Sequence, residues 1–201
     1  MSERVRLVRA DDRRRVPWKN GAGFTGEVAV DEHLPPRWRV SVAELGFASS
    51  WFSSFEGKRR IFTVVGTHGA TLDFGGRTSV VEPLHPFQFE GRSRPMCMPA
   101  GETQALNVIA DVHGPAVSVI VHRSRHSPLR TDPLATTVLY VHSGRADVAG
   151  QSALPGTSIV VTGYAAEVYC DATLVVAEIR SETDKTRLSA VALEFDATVR
   201  S

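Results

Sequence analysis

The chain has 201 residues, of which 42% are hydrophobic and 22% charged, as is ordinary for a globular protein large enough to bury a core. Its formal net charge of +1 creates no field that would attract nucleic acid or an anionic membrane, so we expect neither as a partner. Two cysteines are too few for a disulfide framework, and the chain shows neither a signal-peptide pattern nor a membrane-length apolar run, so we expect a cytoplasmic protein.

The predicted secondary structure is all-β. Short alternating or β-branched segments recur between glycines and prolines, and no segment longer than about ten residues shows a helical period. Many short strands separated by turns are typical of a sandwich or barrel. The predicted strands are 5–8, 26–30, 38–44, 61–65, 71–74, 86–89, 105–109, 117–121, 137–141, 158–161, 167–169, 173–179 and 191–195.

Residues 17–23 form the first unusual segment and read Pro-Trp-Lys-Asn-Gly-Ala-Gly. The glycines satisfy G-x-G-x-x-G over 21–26, but a strand follows where a dinucleotide site needs a helix. Lys19 precedes the glycines, which also excludes a P-loop. Two interpretations stay open: Lys19 and backbone N–H groups bind a small anion, or the loop is structural and Trp18 plugs a barrel end.

The third predicted strand carries Arg39 and Ser41 on one face and apolar side chains on the other. If the polar face lines a barrel interior, Arg39 needs an anion, because an enclosed charge without a partner is costly. That anion is a ligand or a protein carboxylate such as Glu27 or Glu44. Asn107 is likewise a polar residue within an apolar strand.

The chain repeats itself at an offset of 74 residues. Residues 63–76 align with 137–150, and each copy continues through a proline, an apolar strand, a glycine, a cysteine and a final strand. A chance match between two hairpins is the alternative to a duplicated unit. The unit resembles the hairpin core of a cupin, a small jelly-roll barrel. We therefore predict a bicupin, with one barrel in residues 1–122 and another in 123–201, packed as one globular body.

No catalytic or metal-binding motif is apparent. A metal-binding cupin needs an H-x-H pair, a nearby glutamate and a further histidine. Residues 66–69 contain one histidine, His68, instead of an H-x-H pair. Residues 163–165 read Gly-Tyr-Ala where a second motif would place a histidine. We expect no metal and no other cofactor. G-x-S-x-G is absent and neither cysteine has an activating signature, which favours a non-enzymatic role and predicts no catalytic residue.

The most specific segments resemble the HutD/Ves family: 17–23 with Thr25, 38–43, 52–60 and 106–108. The resemblance implies a metal-free bicupin associated with histidine utilisation. A ligand-sensing role for a small acid such as formylglutamate is suggested for that family, without an established enzymatic activity. The chain departs from the family pattern at Ala22, usually glycine, and at Ala105, usually acidic.

We therefore expect a small-molecule-binding or regulatory bicupin with a small carboxylate in its first barrel, because an arginine fork binds a carboxylate bidentately. The second barrel should be more apolar. The alternatives are a metal-independent isomerase or lyase, and a structural or interaction protein without a ligand; a homodimer is compatible with each. The expected ligand-binding residues are Trp18, Lys19, Asn20, Thr25, Arg39, Ser41, Arg60 and Asn107.

Overall fold

The structure, a computed structural model, describes residues 4–18, 23–125 and 127–181. Those residues contain β-strands and no helix, so the all-β prediction is confirmed for them, and none of them forms a helix able to span a membrane. The predicted strand 191–195 lies outside the described residues. The strands are β1 Val5–Val8, β2 Arg14–Pro17, β3 Phe24–Val30, β4 Trp38–Leu45, β5 Ser50–Trp51, β6 Lys58–Val64, β7 Ala70–Asp73, β8 Thr78–Val81, β9 Phe87–Glu90, β10 Met96–Pro99, β11 Thr103–Asp111, β12 Ala116–Arg125, β13 Leu129–Arg130, β14 Ala135–Val148, β15 Gln151–Ala153, β16 Ser158–Thr162 and β17 Glu167–Arg180.

The described strands form three antiparallel sheets. A six-stranded sheet has the order β2-β3-β4-β11-β6-β9, and a four-stranded sheet has the order β5-β10-β7-β8. A seven-stranded sheet has the order β1-β16-β14-β17-β12, with β13 paired to β17 and β15 paired to β14. Short strands such as β2, β5, β13 and β15 were not predicted, because segments of two to four residues carry too little periodicity.

Three apolar clusters hold the sheets together. The inter-sheet core joins the six-stranded and seven-stranded sheets and includes Val40, Val108 and Val175. The first interior lies between the six-stranded and four-stranded sheets and is rich in aromatic side chains, such as Phe62. The second interior is enclosed by strands of the seven-stranded sheet and is aliphatic, apart from a cysteine. Burial of these side chains is the main favourable contribution to folding.

The strand pairing repeats along the chain. In the first half β6 pairs with β9 and β11, and β7 pairs with β8 and β10. In the second half β14 runs without interruption, and along its length it pairs with β16, β15 and β17 in the corresponding places. Residues 63–76 and 137–150 therefore occupy equivalent strands, as predicted.

The predicted uniform offset of 74 residues is wrong for the first strand of the repeat. Leu72 and Ala146 both lie in an interior, so the offset holds there. Val64, however, lies in the first interior, whereas Val138 lies in the inter-sheet core. The register of β14 shifts at a bulge near His142, and a slip of one residue exchanges the two faces of a strand.

Strand pairing also crosses the predicted boundary between residues 122 and 123. β1 pairs with β16, and β12 pairs with β17 along its whole length. Both strands thus complete the seven-stranded sheet, although most of β12 and all of β1 precede the boundary. The division between the sheets does not coincide with the division 1–122 and 123–201.

Candidate functional site

The polar face of β4 points into the first interior. Val40 and Val42 are buried in the inter-sheet core, so alternation directs Arg39 and Ser41 to the opposite side of the six-stranded sheet. Ala43, two residues after Ser41, is a member of the first interior. Of the two orientations left open by the sequence, the enclosed one is therefore present.

The strand register places the predicted polar residues side by side, in two neighbouring rows that run across β4, β11 and β6. Ile109 of β11 pairs with Arg39 on one side and with Arg60 on the other. Two residues along the strand, Asn107 pairs with Ser41 on one side and with Phe62 on the other. Directly opposed residues share a face, so a row with two guanidinium groups lies beside a row with a hydroxyl and an amide.

These rows border a cavity of about 160 Å³ in the first interior. Six of the eight predicted site residues line it: Trp18, Thr25, Arg39, Ser41, Arg60 and Asn107. The other two, Lys19 and Asn20, lie outside the described residues, so their contribution stays a prediction. No aspartate or glutamate occurs among the described residues that line the cavity.

Arg60 is the most enclosed charge of this site, with only 7% of its surface exposed. Its guanidinium carbon lies 4.7 Å from the ring centre of Phe52, 5.1 Å from that of Phe55 and 5.7 Å from that of Phe89. Burial, and then the positive charge of Arg39, lower the pKa of Arg60 to about 10. Its Nε has no hydrogen-bond partner in the described part of the chain.

Arg39 also lacks an ion pair in the part of the chain that the structure describes. Glu27 is instead bound by Arg14, with the shortest distance at 2.9 Å, and Glu44 lies 3.6 Å from Arg15. Burial lowers the pKa of Arg39, while the charge of Glu27 opposes this. The described residues therefore contain no salt bridge from Arg39 to Glu27 or to Glu44, the two carboxylates considered from the sequence.

The ring of Phe55 lies near both guanidinium groups. The guanidinium carbon of Arg39 lies 5.3 Å from the ring centre, and that of Arg60 lies 5.1 Å from it. The negative face of an aromatic ring attracts cations, so the ring partly offsets the repulsion between the like charges. Sequence reasoning missed Phe55, because it lies in the loop between β5 and β6, where no periodicity marks the inward residues.

The remaining polar residues are held in different ways. Trp18 Nε1 donates a hydrogen bond of 2.7 Å to Thr25 Oγ1, which fixes the indole as a wall of the cavity. Asn107 Nδ2 donates a long bond of 3.4 Å to the carbonyl of Ala105. Asn107 Oδ1 is buried and has no partner in the described part. Ser41 is fully buried and borders the same space.

The two halves differ in what they bury. The first half buries Arg13, Arg60 and Asn107, of which Arg60 and Asn107 border the cavity, whereas from Ser124 onward the buried polar residues of the described chain are serines and threonines. This agrees with the expectation of a more apolar second interior. It also shows that the buried amide and the most enclosed arginine lie together in the first interior.

Neither cysteine is prepared for nucleophilic chemistry. Cys97 is fully buried, and burial raises the pKa of its thiol to about 12. Burial also raises the pKa of Cys170. Since the thiolate is the nucleophilic form, burial disfavours the reactive state of both thiols. Within residues 4–18, 23–125 and 127–181, no group of three histidine, cysteine, aspartate or glutamate side chains is placed to hold a metal ion.

Comparison with known proteins relates most of the chain to one family. The family model described as HutD matches residues 10–179. The structure of HutD from Pseudomonas fluorescens is 26% identical, with a TM-score of 0.74 over 89% of this chain and 99% of that chain. A cupin 2 conserved barrel domain protein from Leptotrichia buccalis is 7% identical, with a TM-score of 0.59 over 88% of this chain and 96% of that chain, which indicates a shared cupin-like fold alone.

A curated relative from Pseudomonas putida is an uncharacterised 21.2 kDa protein in the hutC 3′ region. It is 42% identical over 99 residues, a match that covers 46% of this chain and 50% of the relative. The chain thus matches about half the length of that relative.

Proposed function

Because the chain belongs to the HutD family, we propose that it is a non-enzymatic, metal-free bicupin that binds a small carboxylate in its first interior. The repeated strand pairing supports two cupin-like barrels, and the cupin-like neighbour supports the same fold. The observation that carries the binding proposal is the pair Arg39 and Arg60, which border one cavity without a protein carboxylate in the described lining.

Arg39 and Arg60 border the cavity without a carboxylate among its described lining residues. Enclosing two positive charges costs free energy through lost hydration and mutual repulsion, as the lowered pKa of Arg60 shows. A core that served only stability would place apolar residues here, since buried charges rarely improve stability. An anionic ligand supplies the missing partner. Charge-assisted hydrogen bonds to guanidinium groups favour a carboxylate over a neutral molecule of similar shape.

The cavity also limits the size of the ligand. Its volume of about 160 Å³ is below the roughly 300–1,000 Å³ that is typical of sites for drug-sized molecules. Aromatic and aliphatic side chains form most of the remaining lining. A compact acid with a short apolar section fits these properties better than a nucleotide or a sugar chain.

The family and the genomic name of the relative suggest the biological setting. The Pseudomonas putida relative is named for the hutC 3′ region, and the Pseudomonas fluorescens neighbour is named HutD. The proposed ligand is accordingly an acidic intermediate of histidine utilisation, with formylglutamate as the first candidate, and the proposed role is to sense it in the cytoplasm.

The test compares ligand binding by wild-type protein and by Arg39→Met. Isothermal titration and thermal-shift measurements with formate, acetate, propionate and formylglutamate should detect at least one ligand for the wild type. Arg39→Met should lose that binding, because one of the two charge partners is gone. Arg59→Met is the matched control: Arg59 is on β6 and donates to the carbonyls of Asp111 and Pro115, and it does not line the cavity.

Two results would contradict the proposal. In the first, none of the acids binds the wild-type protein at millimolar concentration. In the second, Arg39→Met and Arg59→Met bind every acid as well as wild type does, which would place the acid elsewhere.

A further inference from the structure

Asn107 brings a second kind of unsatisfied group to the cavity. The residue is 7% exposed, and its Oδ1 is buried without a partner in the described part of the chain. Its Nδ2 is directed back to the carbonyl of Ala105. The carbonyl oxygen of the amide is therefore the polar atom of this lining residue that is left without a hydrogen bond in the described part of the chain.

A carboxylate alone does not satisfy this oxygen. The arginines offer only donors, whereas Asn107 Oδ1 is an acceptor and needs an N–H or an O–H. A plain carboxylate has no such donor and would leave the oxygen unpaired. A site built around a hydrogen bond rejects ligands that lack it, because the buried group then stays unsatisfied.

We infer that the ligand is a small acid that also carries a hydrogen-bond donor, and that Asn107 selects for this donor. The inference rests on the proposed function, because the carboxylate is assigned to Arg39 and Arg60. Ser41 contributes less to this selection, since a hydroxyl both donates and accepts.

Asn107 is a neighbour of the arginine pair in the sheet. Asn107 and Ile109 are two residues apart on β11, and Ile109 lies between the two arginines. Residues two apart on a strand point to the same face and lie about 6.8 Å apart. A small acid whose carboxylate is bound by the arginines therefore lies close to Asn107, and acids with a donor on the third or fourth carbon are suitable probes of this contact.

The experiment measures dissociation constants for matched acids with the full-length wild-type protein. The donor-bearing acids are 3-hydroxypropionate and 4-hydroxybutyrate, and their parents are propionate and butyrate. The methyl ether 3-methoxypropionate adds polarity without a donor. At least one hydroxy acid should bind about 3- to 10-fold more tightly than its parent, as expected for one net hydrogen bond, and the ether should show no gain.

Two variants test whether Asn107 causes the preference for the hydroxy acids over their parent acids. Asn107→Leu keeps a similar side-chain volume and should bring the hydroxy-to-parent ratio close to one, while binding of the parent acids persists. Thr103→Val is the matched control, since Thr103 is also on β11, is buried and has an unpaired Oγ1, but does not line the cavity. It should leave the ratio unchanged.

The outcomes separate the two proposals. If no acid binds, the carboxylate site itself is wrong. If the parent acids bind but neither hydroxy acid is preferred, only the role of Asn107 is overturned. A preference that survives in Asn107→Leu also overturns it. The wild-type series decides the question even if Asn107→Leu does not fold.

Discussion

Replacement of Arg60 by methionine should leave the ligand-free protein at least as stable as wild type. Arg60 is almost fully enclosed and lacks an ion pair in the described part of the chain. Methionine keeps the length and the apolar packing of the side chain but removes the charge. The residue then resembles the aromatic and aliphatic groups around it, and the repulsion with Arg39 disappears.

The change in the free energy of unfolding caused by Arg60→Met is the difference between two opposing contributions. A fall in the pKa of Arg60 to about 10 corresponds to roughly 3 kcal/mol of cost for the charged form in the folded state. Contacts with the three phenylalanine rings offset part of this cost, at about 0.5–1 kcal/mol each, or roughly 2 kcal/mol together. Removal of the charge should therefore raise the free energy of unfolding by about 1 kcal/mol, or Tm by about 2–4 °C for a chain of this size.

Urea and thermal unfolding at pH 7 measure this change, and the same samples are then titrated with the best-binding acid. Wild-type protein should gain stability with the acid, whereas Arg60→Met should gain none. A loss of 2 kcal/mol or more in ligand-free Arg60→Met, with no acid ever raising the wild-type Tm, would show that Arg60 is a structural residue and that the reasoning is wrong.

The pH dependence of acid binding should report the same guanidinium. Since the pKa of Arg60 in the folded protein is lowered to about 10, affinity should be constant from pH 7 to 9 and should fall as the pH rises through about 10, which calorimetric titration can follow. Gly144→Ala should cost about 2 kcal/mol or more in urea unfolding, because Gly144 has φ +80° and an added Cβ would lie 2.1 Å from the carbonyl oxygen of Asp171. Gly150→Ala, with φ +76° and open space around it, should cost only about 1 kcal/mol, and equal costs would show that the close contact is unimportant.

The sequence predicted much of the candidate site, because the relevant residues interrupt regular strands. Arg39, Ser41 and Asn107 are polar residues within alternating or apolar segments, so period two assigns their faces once one face is known to be buried. Phe55 lies in a loop, where its inward direction depends on tertiary packing. Its contact with both arginines therefore could not be predicted from the alternation of polar and apolar residues.

The repeat illustrates a second limit of sequence reasoning. Identical residues at a constant offset predicted equivalent strands, and the pairing confirmed them. The sequence alignment nevertheless matched Val64 with Val138, which lie on opposite faces of their strands. The bulge in β14 changes which face each residue occupies, but it leaves the sequence alignment unchanged. Composition and spacing also gave no sign that β1 and β12 would complete the later sheet.

The position of β1 bears on how the molecule is made. In the finished protein Val5 pairs with Val161, so β1 is synthesised about 150 residues before its partner strand. During synthesis Val5–Val8 cannot form this pairing until β16 has been made, whereas the residues of the first interior are available earlier. Pairings between such distant residues slow folding, because the long intervening chain must be ordered before the contact forms. The pairing of β1 with β16 is therefore expected to be a late step in folding, and it connects β1 to the sheet of the second half.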